Sequence, residues 1–102
     1  GFWHWAVHGI PADTHALAAG VGDETGDGLP AAAVQLPNDA GLRRYLGAAP
    51  PPGHGPHHYY VVVHAIDTES VDLPPNATPA LLSFTILQHT LARATIVPIY
   101  EA

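Results

Sequence analysis

Two short stretches place histidine beside rigid or bulky neighbours, and they hold the residues best suited to chemistry. Residues 1–5 read Gly-Phe-Trp-His-Trp, and residues 49–59 run through four prolines, three of them consecutive, to His57, His58 and Tyr59. Proline and glycine cluster where a backbone must turn tightly. Imidazole and phenol groups offer hydrogen-bond donors that can converge on one ligand. The combination predicts a pocket for a small molecule or an anion rather than a site built around a strong nucleophile.

Side-chain alternation decides which of these residues can share a pocket. On a strand over residues 3–10, His4 points to one side and Trp3 to the other. On the strand that follows the prolines, His57 and Tyr59 share one face. We therefore expect imidazole and phenol groups to face one ligand.

The same residues also have plainer interpretations, which the pattern leaves open. His4, between two tryptophans, could be a hydrogen-bonded core histidine, and Tyr59 could pack in the core. For His54 and His58, solvation or packing is favoured over ligand contact.

The composition of the 102 residues narrows the class of protein. Apolar residues make up 47%, enough for one domain with a core. Charged residues make up 12%, lysine is absent, and the net charge is −6. That charge disfavours nucleic acid and anionic membrane surfaces as partners, and no apolar run approaches a transmembrane helix. Cysteine is absent, which leaves the compartment unknown, with the cytoplasm slightly favoured over a secreted or periplasmic location.

Eight histidines invite a metal-site interpretation, but their spacing argues against it. His54 and His57 belong to a loop, and His4 and His8 to a strand, whereas zinc sites typically pair histidines on a helix. The two serines lie outside any Gly-x-Ser-x-Gly elbow. The sequence therefore predicts no metal, no cofactor and no catalytic nucleophile.

The remaining pattern predicts a mainly β chain. Residues 57–67 are apolar on both faces, which is typical of a central strand covered on both sides. Pro98 suggests an edge or a bulge in the last strand. Strands are predicted over residues 3–10, 31–36, 57–67 and 94–100.

One helix and one turn have local signals of their own. Thr78 is a good N-cap, and the proline after it suits the first helical position. A largely buried helix is predicted from there to Ala94, since apolar residues cover most of its circumference. Residues 37–41, Pro-Asn-Asp-Ala-Gly, predict a turn in which Asn and Asp bond nearby backbone and Gly accepts positive φ. Residues 11–30 predict a surface loop.

The Trp-His block and the proline loop with its following histidine and strand resemble the phosphatidylethanolamine-binding proteins. The bacterial branch, often called Raf-kinase-inhibitor-like, is the most similar, and the resemblance runs from Gly1 to Tyr100. It implies a mainly β, sandwich-like domain with a helix near the C-terminus. It also implies a small surface cavity for anions such as phosphate, phospho-headgroups or acetate-like groups. Residues 1–102 would form the C-terminal part of one such domain.

The resemblance also implies which residues bind the ligand. His4 and His57 fall on the two pocket histidines of the family, and Tyr59 falls on the pocket tyrosine. Residues 47–51 fall on the loop that forms the cavity wall, with Ala-Ala in place of a more usual Gly-Pro pair. His58 stands where arginine is common, so a cation there is titratable. The implied ligand-binding residues are Trp3, His4, Gly47, Ala48, Ala49, Pro50, Pro51, His57 and Tyr59.

The family's Asp-Pro-Asp-x-Pro motif, whose aspartate lines the same cavity, would lie upstream of Gly1 together with several strands. A sandwich without those strands would expose sheet edges and apolar faces. We therefore expect an N-terminal fragment of the same protein to stay associated with this chain after a nick or processing. A truncated chain that swaps domains or forms a homodimer is the alternative.

The predicted function is non-enzymatic binding of a small anion or phospho-headgroup. Some relatives inhibit kinases or serine proteases, so a regulatory role follows by analogy alone. The alternative is an enzyme in which His, Tyr and Asp perform acid–base chemistry, such as a cyclase, isomerase or lyase acting on a small metabolite. A purely structural role through the helix or edge strands is less favoured, because it leaves the histidine loop unused.

Overall fold

The computed structural model describes all residues, 1–102, and the chain is mainly β with one helix. In chain order the elements are β1 (Val7–His8), β2 (Val34–Gln35), β3 (His57–His58), β4 (Val61–Ile66), α1 (Pro79–Ile86), β5 (Thr90–Ile96) and β6 (Ile99–Tyr100). The strands pair antiparallel as three two-stranded sheets, β1 with β2, β3 with β6, and β4 with β5. The predicted class, mainly β with a helix near the C-terminus, is confirmed.

The longest pairing joins β4 to β5, with Val61 opposite Ile96. β5 begins at Thr90, inside the segment predicted to be helical through Ala94, so the second half of that prediction was wrong. Threonine and isoleucine favour strands because their branched side chains fit a pleated surface. Here the hydrogen-bond ladder with β4 outweighs the helix-like spacing of the apolar residues.

The helix begins where the sequence predicts. Thr78 is extended, and its hydroxyl oxygen accepts a hydrogen bond from the backbone N–H of Leu81 at 3.1 Å, which confirms the N-cap. The helix ends early because the carbonyl of Ile86 accepts from the backbone N–H of His89 and from the hydroxyl of Thr90, which starts β5. No helix in the chain has the length and apolarity needed to cross a membrane.

Only one side of α1 is buried, so the expectation of a largely buried helix was wrong. Leu82 and Ile86 face the core, whereas Phe84 and Leu87 are 76% and 75% exposed, because no other element of the chain covers them. The core cluster consists of Ala6, Leu36, Ala77, Leu82 and Ile86.

The β4–β5 sheet is mostly exposed on both sides, which corrects the prediction of a central strand buried on both faces. On the side that carries Ile66, only His64, Ile66 and Thr90 are half-buried. Ile66 packs against the core cluster. The opposite face is exposed along its whole length, and we call it the apolar sheet face. By strand register and alternation, it consists of Val61, Val63, Ala65, Ala92, Ala94 and Ile96.

The other predicted strands are shorter or interrupted. The segments 3–10 and 31–36 contribute only β1 and β2. β1 is followed by Gly9, whose φ of 80° favours glycine and whose added Cβ would collide with the carbonyl of Ala32. The predicted last strand is divided into β5 and β6 at Pro98, which cannot donate to a ladder.

Folding lowers the pKa of His8, so the stability of the protein depends on pH through this residue. It pairs with Val34 in the β1–β2 ladder and is half-buried, and this burial lowers the pKa of His8 below its ordinary value of 6.5. Burial disfavours the charged imidazole, so the unfolded chain takes up the proton at a higher pH than the folded chain.

We expect the free energy of unfolding of the protein to fall as the pH drops through about 6.5, and His8→Gln to make that fall shallower. Urea unfolding between about pH 7.5 and pH 5 measures both. The matched control is His15→Gln, at an exposed loop histidine, which should leave the slope unchanged. An unchanged slope for His8→Gln would contradict the assignment.

Candidate functional site

The predicted turn over residues 37–41 is confirmed, and it holds the Trp3–His4 segment. The side-chain oxygen of Asn38 accepts from the backbone N–H groups of Ala40 and Leu42, at 2.9 and 3.1 Å. The turn closes with a φ of 78° at Gly41. Asp39 is tied to Trp3 twice, through its carboxylate at 2.8 Å and its backbone N–H at 3.0 Å. The first histidine block is therefore anchored to this turn.

Paired hydrogen bonds then fix His4. The backbone N–H of Leu46 donates to the carbonyl of His4 at 3.0 Å, and Nδ1 of His4 lies 2.7 Å from the carbonyl oxygen of Leu46. A carbonyl oxygen only accepts, so Nδ1 carries the proton and Nε2 is left for other contacts. His4 thus has a defined tautomer and a defined ring orientation when neutral.

The second histidine block is positioned by the C-terminal strand. His57 in β3 pairs with Tyr100 in β6, and the backbone N–H of Tyr59 donates to the carbonyl of Pro98 at 2.9 Å. The ring of Tyr59 meets the ring of His4 edge-on, with 5.4 Å between centroids. Two segments more than fifty residues apart in the sequence therefore meet at one place.

A surface cleft of about 340 Å³ lies where these segments meet. It brings together most of the residues that the resemblance assigned to ligand binding. Trp3 and Ala48 do not line it, whereas Phe2 and Leu46 do. The lining residues are Phe2, His4, Leu46, Gly47, Ala49, Pro50, Pro51, His57 and Tyr59.

Of the two additional lining residues, Phe2 could be found from the sequence pattern and Leu46 could not. On an extended segment, alternation places Phe2 on the same side as His4, and its ring lies 4.9 Å from the His4 ring, centroid to centroid. Trp3, on the opposite side, is turned from the cleft by the same alternation. No local pattern marks Leu46, because its place depends on how the loop closes over His4.

The cleft has no permanent positive charge. None of its lining residues is arginine or lysine. Hydrogen bonds to histidine rings within the chain involve His4, His64 and His89, so neither ring nitrogen of His57 is bonded within the chain. A neutral His57 can already donate one hydrogen bond, whereas Nε2 of His4 donates only when the ring is protonated.

The neighbouring histidines lie outside the cleft. His54 is exposed and stacks on His57 at 5.7 Å between ring centroids, and His58 is exposed on the other side of β3. His89 donates to the carboxylate of Asp67 at 2.7 Å, beyond the end of β4. No three His, Asp or Glu side chains lie close enough together to hold a metal ion.

A larger depression, of about 510 Å³, is lined mainly by residues 24–31. Several polar side chains in and beside it are hydrogen-bonded within the chain. Hydrogen bonds from the Thr25 hydroxyl and the Gly26 N–H hold the pKa of the Asp23 carboxyl below its usual value. The guanidinium of Arg43 donates to the carbonyls of Gln35 and Pro75, at 3.1 and 2.8 Å. This surface is therefore structural in character.

The sequence of this chain matches the proteins of one known family. The family model for phosphatidylethanolamine-binding protein matches residues 1–101. YbcL of Escherichia coli is 41% identical over 101 residues, which cover 99% of this chain and 55% of that protein. YbhB of the same organism is 39% identical over 101 residues, with 99% and 63% covered.

The structural comparison agrees. A crystal structure of Escherichia coli YbcL, described as a new member of the mammalian PEBP family, matches with a TM-score of 0.94 at 40% identity. The match covers all of this chain and 62% of that chain. The chain therefore spans between half and two thirds of the length of these relatives.

Proposed function

Since the chain belongs to the phosphatidylethanolamine-binding protein family, we propose that its histidine cleft binds a small anion, such as phosphate or a phospho-headgroup. The observation that carries the proposal is the convergence of His4, His57 and Tyr59 on one cleft. His57 and Tyr59 can each donate a hydrogen bond when neutral, and His4 can donate from Nε2 when it is protonated. Hydrogen bonds from protonated imidazole to an anion are stronger than those from neutral donors. The cleft residues therefore include the hydrogen-bond donors that binding of an anion requires.

The acid–base alternative needs a carboxylate beside the histidines. The cleft residues of this chain include none, so an enzyme of that kind would have to draw its carboxylate from outside them. Histidine and tyrosine donors that have no carboxylate beside them favour binding of a ligand over proton transfer to it. Binding is therefore the function that we propose.

We expect His57→Ala to weaken sulfate binding about fivefold or more, which corresponds to roughly 1 kcal/mol for a lost charge-assisted hydrogen bond. Isothermal titration calorimetry measures the affinity. His15→Ala is the matched control, because His15 is exposed and lies outside the cleft, and His54→Ala should have a much smaller effect than His57→Ala. An unchanged affinity in a folded His57→Ala protein would show that the cleft is not the anion site.

Sulfate should bind more tightly as the pH is lowered from about 7.5 to 5.5, because imidazoles take up a proton in this range. Nδ1 of His4 already donates to Leu46, so protonation adds a donor at Nε2. Sulfate keeps its charge throughout, so calorimetry reports the change in the protein. An affinity that is flat or falls toward acid pH would contradict donation by the histidines.

A partner is also part of the proposal. The apolar sheet face is exposed over its whole length, which is unusual for a stable monomer. In YbcL a substantial part of the chain lies outside the match. We propose that a segment equivalent to that part, from the same protein, covers the apolar sheet face. Backbone and apolar contacts with the sheet would supply the binding energy.

The test is to co-express this chain with the part of Escherichia coli YbcL that lies outside the match. We expect the two to co-purify as a one-to-one complex by size exclusion with light scattering. Val63→Lys, which puts a charge on the apolar sheet face, should abolish the complex, and Ala12→Lys, in the exposed loop, should not. A homodimer, or a monomer that does not bind the YbcL segment, would overturn the proposal.

A further inference from the structure

Two histidine rings lie side by side next to the cleft and have no hydrogen-bond partner in the chain. The ring centroids of His54 and His57 are 5.7 Å apart, and the ring planes are 28° from parallel. The hydrogen bonds that histidine rings make within the chain belong to His4, His64 and His89. Four ring nitrogens therefore lie in one small region of the surface without a partner from the chain.

The backbone between the proline loop and β3 brings these two rings together. The backbone N–H of His54 donates to the carbonyl of Pro51 at 3.3 Å, which closes a turn. Gly53 and Gly55 have φ values of 83° and 74°, a region that favours glycine. His57 begins β3, so the ladder with β6 holds its backbone. The backbone, rather than a bond between the side chains, therefore keeps the two rings close together.

The separation of the rings suits two imidazole ligands of one metal ion. With metal–nitrogen bonds of about 2.0–2.1 Å and a tetrahedral angle between them, the centroids of two imidazole rings lie roughly 5 Å apart. The observed 5.7 Å is close to this separation, and the side chain of His54 is exposed and has room to rotate toward His57. The loop location of these histidines, which argues against a metal in the sequence, thus does not keep their rings apart.

The charges around the two rings also favour a cation. The chain has a net charge of −6 and no lysine, and neither arginine nor lysine lines the adjoining cleft. No fixed positive charge of the cleft therefore opposes a metal ion at the rings. Imidazole suits zinc, copper and nickel, whereas magnesium and calcium prefer oxygen ligands.

We propose that His54 and His57 together bind a divalent ion of the zinc, nickel and copper group beside the cleft. With two ligands from the chain, water completes the coordination, and the site binds more weakly than structural zinc sites with four protein ligands. The proposal goes beyond the anion-binding function, because it needs no anion. A histidine that ligates a metal through one ring nitrogen carries an N–H on the other. His57 can therefore serve both sites through different atoms.

Calorimetry with zinc chloride at about pH 7.5, where imidazoles are largely neutral, tests the site. We expect one zinc ion per chain, and an affinity at least about tenfold weaker in His54→Ala and in His57→Ala, since each leaves a single imidazole. The matched control is His58→Ala, which removes an exposed imidazole on the other side of β3 and should leave the affinity unchanged. Equal affinities in all four proteins, or an equal loss in His58→Ala, would overturn the proposal.

A second measurement locates the ion, because the chain has eight histidines that can ligate zinc. Paramagnetic Ni²⁺, added well below one equivalent, should broaden the NMR signals of the His54 and His57 rings first. The signals of His15, in the exposed loop, and of His89, beyond the end of β4, should stay sharp. Equal broadening of all exposed histidines, or zinc that does not bind at all, would overturn the proposal and leave the anion-binding function standing.

Discussion

The candidate site depends on one buried amide. The side chain of Asn38 closes the turn with its oxygen, and its nitrogen donates to the carbonyls of Arg44 at 3.0 Å and His4 at 3.4 Å. A buried polar group is costly unless its hydrogen bonds are made, and here both ends of the amide are used. Aspartate would lose the donors, and leucine would lose every bond. The position of His4 is thus decided by a residue that does not line the cleft.

The electrostatics of the cleft follow from its residue types. In an acidic chain, a fixed cation would hold an anion at any pH, but this cleft offers imidazole and phenol groups instead. Its attraction for an anion therefore increases with protonation of the imidazoles. Elsewhere, burial lowers the pKa of the half-buried His8. Protonation in the β1–β2 ladder therefore destabilises the folded chain.

Features with a local cause were predictable from the sequence. The N-cap at Thr78 and the turn at residues 37–41 depend on side chains that bond backbone within a few residues. The end of α1 was not predictable in this way, because it depends on β5 pairing with a strand far away in the chain. The apolar pattern of residues 87–94 fits a helix or a strand equally well, and pairing with β4 decides between them.

The candidate site shows the same division. His4, His57 and Tyr59 were assigned by resemblance, and the structure places them at one cleft. Alternation along an extended N-terminal segment places Phe2 rather than Trp3 on the side of His4, although the resemblance assigned Trp3 to the site. Leu46 could not be found, because its contact spans 42 positions and rests on the conformation of an entire loop. Family resemblance identifies positions, whereas the long-range contacts require the fold.

The cleft joins the N-terminal segment to residues 46–59, which lie more than forty positions away, and this has a consequence for how the molecule folds. Closing such loops costs conformational entropy before any contact repays it, and structures rich in distant contacts form slowly. The Leu46 carbonyl and the β3–β6 ladder must both be in place before His4 meets Tyr59. We therefore expect the cleft to form late in folding, and a ligand bound across it to stabilise the native chain by mass action.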